Sequence, residues 1–209
     1  MHYLSIFIVS FTIALSGALM PGPLLATVIY ESTKRGFKSG PLMILGHALL
    51  EILMVAFIIF GFAHFIQNQA VLKIISLVGA LILFYFGASM LFSIPRLSLN
   101  FKDNYKKSSN LVLLGITMSV ANPYWAIWWL TIGLGLVLGA HNAGIVAVGI
   151  FFLGHILADF GWYSLVSLTI SKGRKFISLK IYKIIIFILA VTLVEFGIYF
   201  ALNAAGIKL

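Results

Sequence analysis

The chain has 209 residues, of which 62% are hydrophobic and only 9% charged, and its formal net charge is +9. So few charged residues cannot cover the surface of a water-soluble domain of this length, so the composition excludes that class and indicates an integral membrane protein. No cysteine is present, which excludes a disulfide framework and a thiol relay.

Six apolar runs follow one another along the chain. Each reaches the ~20 residues that a helix needs to cross a bilayer, and none alternates in polarity as a barrel strand would. The first run has no basic leading segment or cleavage pattern, so we expect it to be a mature helix. We call these runs spans 1 to 6, and they cover about 3–30, 40–62, 71–92, 111–138, 144–170 and 181–202. The sequence thus predicts an all-α, single transmembrane domain over residues 1–209 with six helices.

Positive charge is concentrated after spans 1, 3 and 5. The opposite side of the predicted membrane has only Lys73 and Lys208. By the positive-inside rule the three basic loops are cytoplasmic, and both termini of this multi-pass cell-membrane protein are extracytoplasmic. Because topology accounts for the basic residues, we expect the bilayer, and no nucleic acid, to be their partner.

The two halves of the chain resemble each other. The run LGHALLE at 45–51 returns as LGHILAD at 153–159, and a later KII followed by FG recurs at matching distances. We therefore predict one repeat over about 1–93 and a second over about 111–203, joined by a basic cytoplasmic loop. Three helices per repeat make the second repeat inverted relative to the first, which is the usual architecture of a secondary transporter with a site between its halves.

Helix-breaking motifs occur at comparable places in spans 1 and 4. Proline lacks the backbone donor that a helix needs, so each motif frees amides and carbonyls that can bind a polar solute. The alternative is a pair of packing kinks. The aromatic residues after the second break, Tyr124, Trp125, Trp128 and Trp129, either line a cavity or belong to an interfacial belt. The candidate substrate-binding residues are Pro21, Gly22, Pro23, Asn122, Pro123 and Trp125.

Two acidic residues, Glu51 and Asp159, lie in mid-span at equivalent repeat positions. His47 and His155 each precede one of them by four residues, which places each pair on one helical face. A buried carboxylate is costly in a membrane, so these four residues are candidates for proton coupling. The alternatives are a divalent metal site and a neutral set of structural hydrogen bonds. A third acid, Glu195, has no acidic counterpart in the other repeat.

The run PGPLLATVIYESTKRGFKSGPLMILGH, together with the Asn-Pro of span 4, resembles the LysE family of amino-acid exporters, which includes lysine and threonine/homoserine exporters. The resemblance covers the whole chain. It implies proton-driven export of amino acids or similar small polar solutes, and it points to Pro21, Gly22, Pro23, Asn122 and Pro123. Many family members follow Asn-Pro with a basic residue, whereas this chain has Tyr124 and Trp125, so the lysine or threonine assignment does not carry over.

Our prediction is therefore a secondary-active efflux carrier that needs no cofactor, with protons and a small polar solute as partners. A divalent metal-ion exporter is the main alternative, suggested by the His/acid pairs. An enzyme is not expected, because no nucleophile, base and orienting group occur together. A non-transporting scaffold is not expected either, because it has no need of acids in mid-membrane, where burying them is costly. The sequence leaves open whether copies associate as a homo-oligomer.

Overall fold

The computed structural model describes residues 3–19, 22–61, 69–96, 110–173, 176 and 178–207, and all secondary structure in these ranges is helical. Short turns connect the helices within each range. In chain order the helices are α1 Tyr3–Ala18, α2 Pro23–Arg35, α3 Ser39–Ile59, α4 Gln69–Ser93, α5 Leu111–Val120, α6 Pro123–Trp128, α7 Leu134–Asn142, α8 Ile145–Gly173 and α9 Leu179–Ala204.

Four of the described helices are long and apolar enough to cross a membrane. They are α3, α4, α8 and α9, and a fifth span results if α1 and α2 are counted as one bent helix. The length and apolar character of these helices support an integral membrane protein with several spans.

Span 1 is interrupted where the Pro-Gly-Pro motif predicts a break. Helix α1 ends at Ala18, α2 begins at Pro23, and the two helices are bent by 73°. Pro23 occupies the first turn of α2, where the lack of a backbone donor costs nothing. Pro21 lies outside the described residues.

Span 4 is divided more than the sequence predicted. Helix α5 has only ten residues. It ends before Asn122, and α6 begins at Pro123. A π-helical turn, Trp129–Gly133, then joins α6 to α7. Such a turn inserts an extra residue into the helix and often occurs at functional sites.

Glycines allow the helix pairs to approach closely. A Cβ on Gly46 of α3 would overlap the backbone of Val112 in α5, and one on Gly115 of α5 would overlap the backbone of Met43 in α3. Gly154 of α8 similarly lies against the Phe7 carbonyl of α1, at 2.7 Å from an ideal Cβ. Small residues at these crossings suit helices that pack by van der Waals contact rather than by exclusion of water.

The junction between α2 and α3 is attached to α8 by one buried hydroxyl. Ser167 Oγ donates to the Phe37 carbonyl (2.7 Å), accepts from the Gly40 amide (3.1 Å) and contacts Ser32 Oγ (2.8 Å). Gly40 lies so close to the Tyr163 backbone that no side chain fits there. One serine of α8 thus fixes the end of the broken span.

Candidate functional site

A cavity of about 400 Å³ lies between the two breaks and the middles of α3 and α8. Residues of both helix breaks and both His/acid pairs line it. Among its lining residues are Gly22, Pro23, His47, Glu51, Asn122, Trp125, Trp128, Trp129, His155 and Asp159. The volume suits a small metabolite.

The two His/acid pairs meet across the interface of α3 and α8. Within α3, His47 Nε2 lies 3.0 Å from Glu51 Oε1, and within α8, His155 Nε2 lies 3.6 Å from Asp159 Oδ2. Between the helices, His155 Nε2 is 3.2 Å from Glu51 Oε1 and His47 Nε2 is 3.8 Å from Asp159 Oδ2. All four residues are buried. We call these four residues the His/acid cluster.

Four side-chain nitrogens lie within 3.4 Å of one carboxylate oxygen of Glu51. Besides the two imidazoles, Trp129 Nε1 donates to Glu51 Oε1 at 3.1 Å and Trp125 Nε1 at 3.4 Å. Indole N–H groups only donate, so this oxygen must accept. Such a set of donors stabilises the ionised form of a carboxyl group that is only 1% exposed.

His47 is linked to a hydroxyl as well as to the acids. Its Nδ1 lies 2.6 Å from Ser119 Oγ, and that hydroxyl is placed to donate to the Gly115 carbonyl at 2.8 Å. When the single hydroxyl hydrogen points to Gly115, Nδ1 must donate, and His47 carries protons on both nitrogens when Nε2 also donates to Glu51. When the hydroxyl hydrogen turns to Nδ1, the imidazole is neutral. Rotation of Ser119 therefore accommodates both protonation states of His47.

Several polar atoms of the site are buried without a hydrogen-bond partner. They are Glu51 Oε2, Asp159 Oδ2 and His155 Nδ1. A buried polar atom without a partner costs about 1–3 kcal/mol. Two of the three belong to acids, so a ligand that brings several hydrogen-bond donors, and preferably a positive charge, would relieve this cost.

Aromatic rings form the wall beside the cluster. The centroids of Trp128 and Trp129 each lie 5.1 Å from that of His155, and Phe151 is 6.0 Å away. Trp129 is fully buried, and it begins the π-helical turn. For this residue the prediction of an interfacial belt is therefore wrong.

The first turn of α2 is the other polar part of the cavity. Gly22, the residue before the helix, has extended backbone angles, and no side chain caps the helix there. Backbone amides at a helix start point outward and carry partial positive charge, which attracts anions. Gly22, Pro23 and Leu24 all line the cavity, so this end of α2 suits a carboxylate.

The structure brings most of the predicted site residues together. Gly22, Pro23, Asn122 and Trp125 line the cavity with the His/acid cluster. Pro21 and the side chains of Pro123 and Tyr124 lie outside what the structure describes. Glu195 is exposed on α9 and does not line the cavity. Sequence reasoning missed Ser119, whose only signal was its place three residues before the Asn-Pro break.

Comparison with known proteins identifies the family of this chain. The model of the LysE type translocator family matches residues 15–204. A protein of Bacillus subtilis (strain 168) with the name "Putative amino acid efflux protein YcgF" is 27% identical over 210 aligned positions, 98% of each chain. No solved structure gives a significant match. The broken first span, the buried cluster and this family match over most of the chain lead to one conclusion: the protein belongs to the LysE type translocator family of membrane transport proteins.

Proposed function

We propose that the protein exports an amino acid or a similar small polar solute from the cell in exchange for protons. The observation that carries this proposal is the cavity in which two buried acids and the uncapped start of α2 meet. The relative from Bacillus subtilis, whose printed name is that of an amino acid efflux protein, supports the same solute class.

A zwitterion fits the polarity of the cavity. Its ammonium group would donate to Glu51 Oε2 and Asp159 Oδ2, the acid oxygens that lack a hydrogen-bond partner. Its carboxylate would accept from the backbone amides at the start of α2, next to Gly22, with Asn122 beside it. The tryptophans would contact the solute side chain, and an indole face also attracts an ammonium group.

The His/acid cluster supplies sites for the coupling protons. Each of the two imidazoles lies within about 4 Å of both carboxyl groups. Adding a proton to this group reduces its negative charge and weakens its attraction for an ammonium ion. Protons entering from outside would therefore release the solute there, and their loss inside would prepare the site again.

Helix packing supports six spans in two inverted repeats. Helix α1 of the first half packs on α8 of the second, and α5 of the second half packs on α3 of the first. The glycine before each histidine, Gly46 or Gly154, lies at one of these contacts. In each case a helix of one half packs against a helix of the other half, which is the arrangement expected of two related halves. The basic loop ends would face the cytoplasm, with both termini outside the cell membrane.

The test uses purified protein in liposomes, with Glu51→Gln and Asp159→Asn. Both substitutions keep shape and hydrogen bonding but remove the titratable charge. We expect efflux driven by a proton gradient to fail in at least one variant, while exchange of labelled amino acid without a gradient survives better. Exchange does not require the empty carrier to return. Glu195→Gln is the matched control, because this acid is exposed on α9 and should leave transport unchanged.

Each variant must first be monodisperse in detergent, since a folding defect would also abolish transport. If both variants pump normally under a gradient, the carboxyl groups are structural and the proposed coupling is refuted. If the unaltered protein exchanges no labelled amino acid, the assignment of amino acids as the solute is refuted.

A divalent metal ion is a second candidate cargo, supported by one specific observation. Donor atoms of His47, Glu51 and Asp159 all lie within 4.8 Å of one another. The distances from His47 Nε2 to the two acid oxygens, 3.0 and 3.8 Å, bracket the separation of about 3.3 Å between two ligand atoms in a tetrahedron with zinc bonds of about 2.0 Å. Transport of Zn²⁺ or Mn²⁺, rather than of amino acids, into liposomes would favour this candidate.

A further inference from the structure

A second cavity lies away from the His/acid cluster, where α2 and α4 end. Its volume is about 570 Å³, and it opens on the surface as a groove. Two cations, Lys34 and Arg96, two hydroxyls, Ser89 and Ser93, and two aromatic rings, Tyr85 and Phe92, line it. No acid is among the described residues that line this groove.

The lining residues of α4 follow one face of the helix. Tyr85, Ser89, Phe92 and Arg96 are spaced by four, three and four residues, which is the spacing of a helical stripe. At 1.5 Å per residue, Tyr85 lies about 16 Å along the axis from Arg96. Arg96 follows the end of a 25-residue apolar helix, so it lies near the membrane surface, while Tyr85 lies within the hydrocarbon layer.

The cation from α2 is held in place at the same level. Lys34 Nζ contacts the Tyr30 hydroxyl and lies 3.8 Å from the centroid of its ring. The Tyr30 hydroxyl in turn lies 3.5 Å from Ser93 Oγ. Glu31, the acid of this helix, is instead paired with Arg35 at 2.7 Å. Lys34 is therefore positioned beside Ser93, with its charge directed to the groove rather than to a carboxylate pair.

The rings deeper in the groove are left uncovered by the part of the chain that the structure describes. Tyr85 is 70% exposed and Phe92 is 80% exposed. A groove with cations and hydroxyls at the membrane surface and apolar rings below has the polarity of a phospholipid molecule. Basic pockets between helices at that depth suit anionic headgroups.

We propose that this groove binds an anionic phospholipid, with its phosphate between Lys34 and Arg96 and an acyl chain along Phe92 and Tyr85. Ser89 would donate to a phosphate or glycerol oxygen, whereas the Ser93 hydroxyl already donates to the Met90 carbonyl at 2.7 Å. The groove is separate from the proposed transport site, because none of these residues lines the central cavity.

The experiment measures lipid binding to the full chain in neutral detergent by native mass spectrometry. Three probes are compared: phosphatidylglycerol, phosphatidylcholine and inorganic phosphate. We expect phosphatidylglycerol to bind, with affinity at least about tenfold higher than that of the zwitterionic lipid. Inorganic phosphate at the same concentration should not displace it, because phosphate lacks the acyl chain.

The variant is Lys34→Gln/Arg96→Gln, and the matched control is Lys38→Gln/Lys180→Gln, which removes two exposed basic residues outside the groove. The groove variant should lose about tenfold or more in affinity for phosphatidylglycerol, and the control less than about twofold. Arg96→Gln alone, at an exposed position, covers the case in which the double variant does not fold.

Three results would overturn the proposal. Equal binding of both lipids would show that charge does not select the ligand. Full displacement by inorganic phosphate would identify a free-anion site. An equal loss in the groove and control variants would mean that overall charge, and not this groove, attracts the lipid.

Discussion

Trp129→Phe tests the central geometry with the smallest change. Phenylalanine retains most of the ring that packs on His155 and Phe151, and it removes the indole N–H that donates to Glu51 Oε1 at 3.1 Å. Trp125→Phe is the matched comparison. Its N–H is 3.4 Å from the same oxygen, and the residue is only half-buried, so water replaces the lost donor more easily.

The magnitude follows from burial and charge. A hydrogen bond to a charged group contributes about 1.5–3 kcal/mol, and Trp129 is fully buried. For a chain of this size each kcal/mol corresponds to about 2–4 °C in Tm, so Trp129→Phe should lower Tm by roughly 3–12 °C. Trp125→Phe should lower it by less than half as much, because the longer contact is weaker.

The assay is thermal unfolding of detergent-purified protein, with and without amino acid. If the Trp129 N–H also keeps Glu51 ionised for binding an ammonium ion, the rise in Tm caused by added solute should be smaller in the variant. Equal Tm values for both variants and the unaltered protein would refute the reasoning, because the N–H would then contribute nothing. A larger loss in Trp125→Phe would refute the assigned distances.

Three further predictions concern helix packing and orientation. Ser167→Ala should destabilise the protein by about 1–3 kcal/mol, because the Gly40 amide of α3 loses its acceptor. Hydrogen exchange measures this loss as faster exchange of the amides between α2 and α3. Gly46→Ala should lower Tm, because the added Cβ meets the backbone of α5. Gly149→Ala, whose Cβ would have no atom within 4 Å, should leave Tm unchanged or raise it. A change of Tm in the same direction in both variants would contradict close packing at Gly46. Because the chain has no cysteine, a single Cys at Asn142 should react with an impermeant thiol reagent on whole cells and one at Lys38 should not, and the reverse would invert the proposed topology.

The His/acid cluster could be predicted from the sequence, but only as two separate pairs. A spacing of four residues places His47 with Glu51, and His155 with Asp159, on one face of a helix whatever the fold. The repeat suggested that the pairs belong together. The distance of 3.2 Å between His155 and Glu51 depends on how closely α3 and α8 pack, which no local pattern encodes.

The ends of the helices were predicted less well than their breaks. Lys34 and Arg35 were assigned to the loop after span 1, yet α2 continues to Arg35. Charged residues remain helical when a partner lies one turn away, as Glu31 does for Arg35 at 2.7 Å. Likewise, Lys180, which precedes the predicted span 6, already lies in α9. Counting apolar residues therefore underestimates helices that extend beyond the hydrocarbon layer.

The π-helical turn at Trp129–Gly133 was not predicted, because nothing in the local sequence distinguishes it from an α-helix. Its consequence is nevertheless central. An inserted residue rotates the following part of a helix, and here the turn begins at the ring that reaches Glu51. Trp129, which belongs to the predicted aromatic run and begins this turn, donates a hydrogen bond to Glu51 Oε1 at 3.1 Å.

Some contacts of the His/acid cluster lie within one helix and others join α3 to α8, so a movement of these two helices would break only the second kind. His47 with Glu51, and His155 with Asp159, each belong to one helix and would survive any movement of α3 against α8. The contacts of His155 with Glu51 (3.2 Å) and of His47 with Asp159 (3.8 Å) cross between the helices and would not. Under the proposed mechanism, separation of α3 from α8 removes one imidazole from each acid and so changes the cluster's affinity for protons. Proton binding must then favour one arrangement of the two helices over the other by the same free energy, which is the coupling that an exchanger requires.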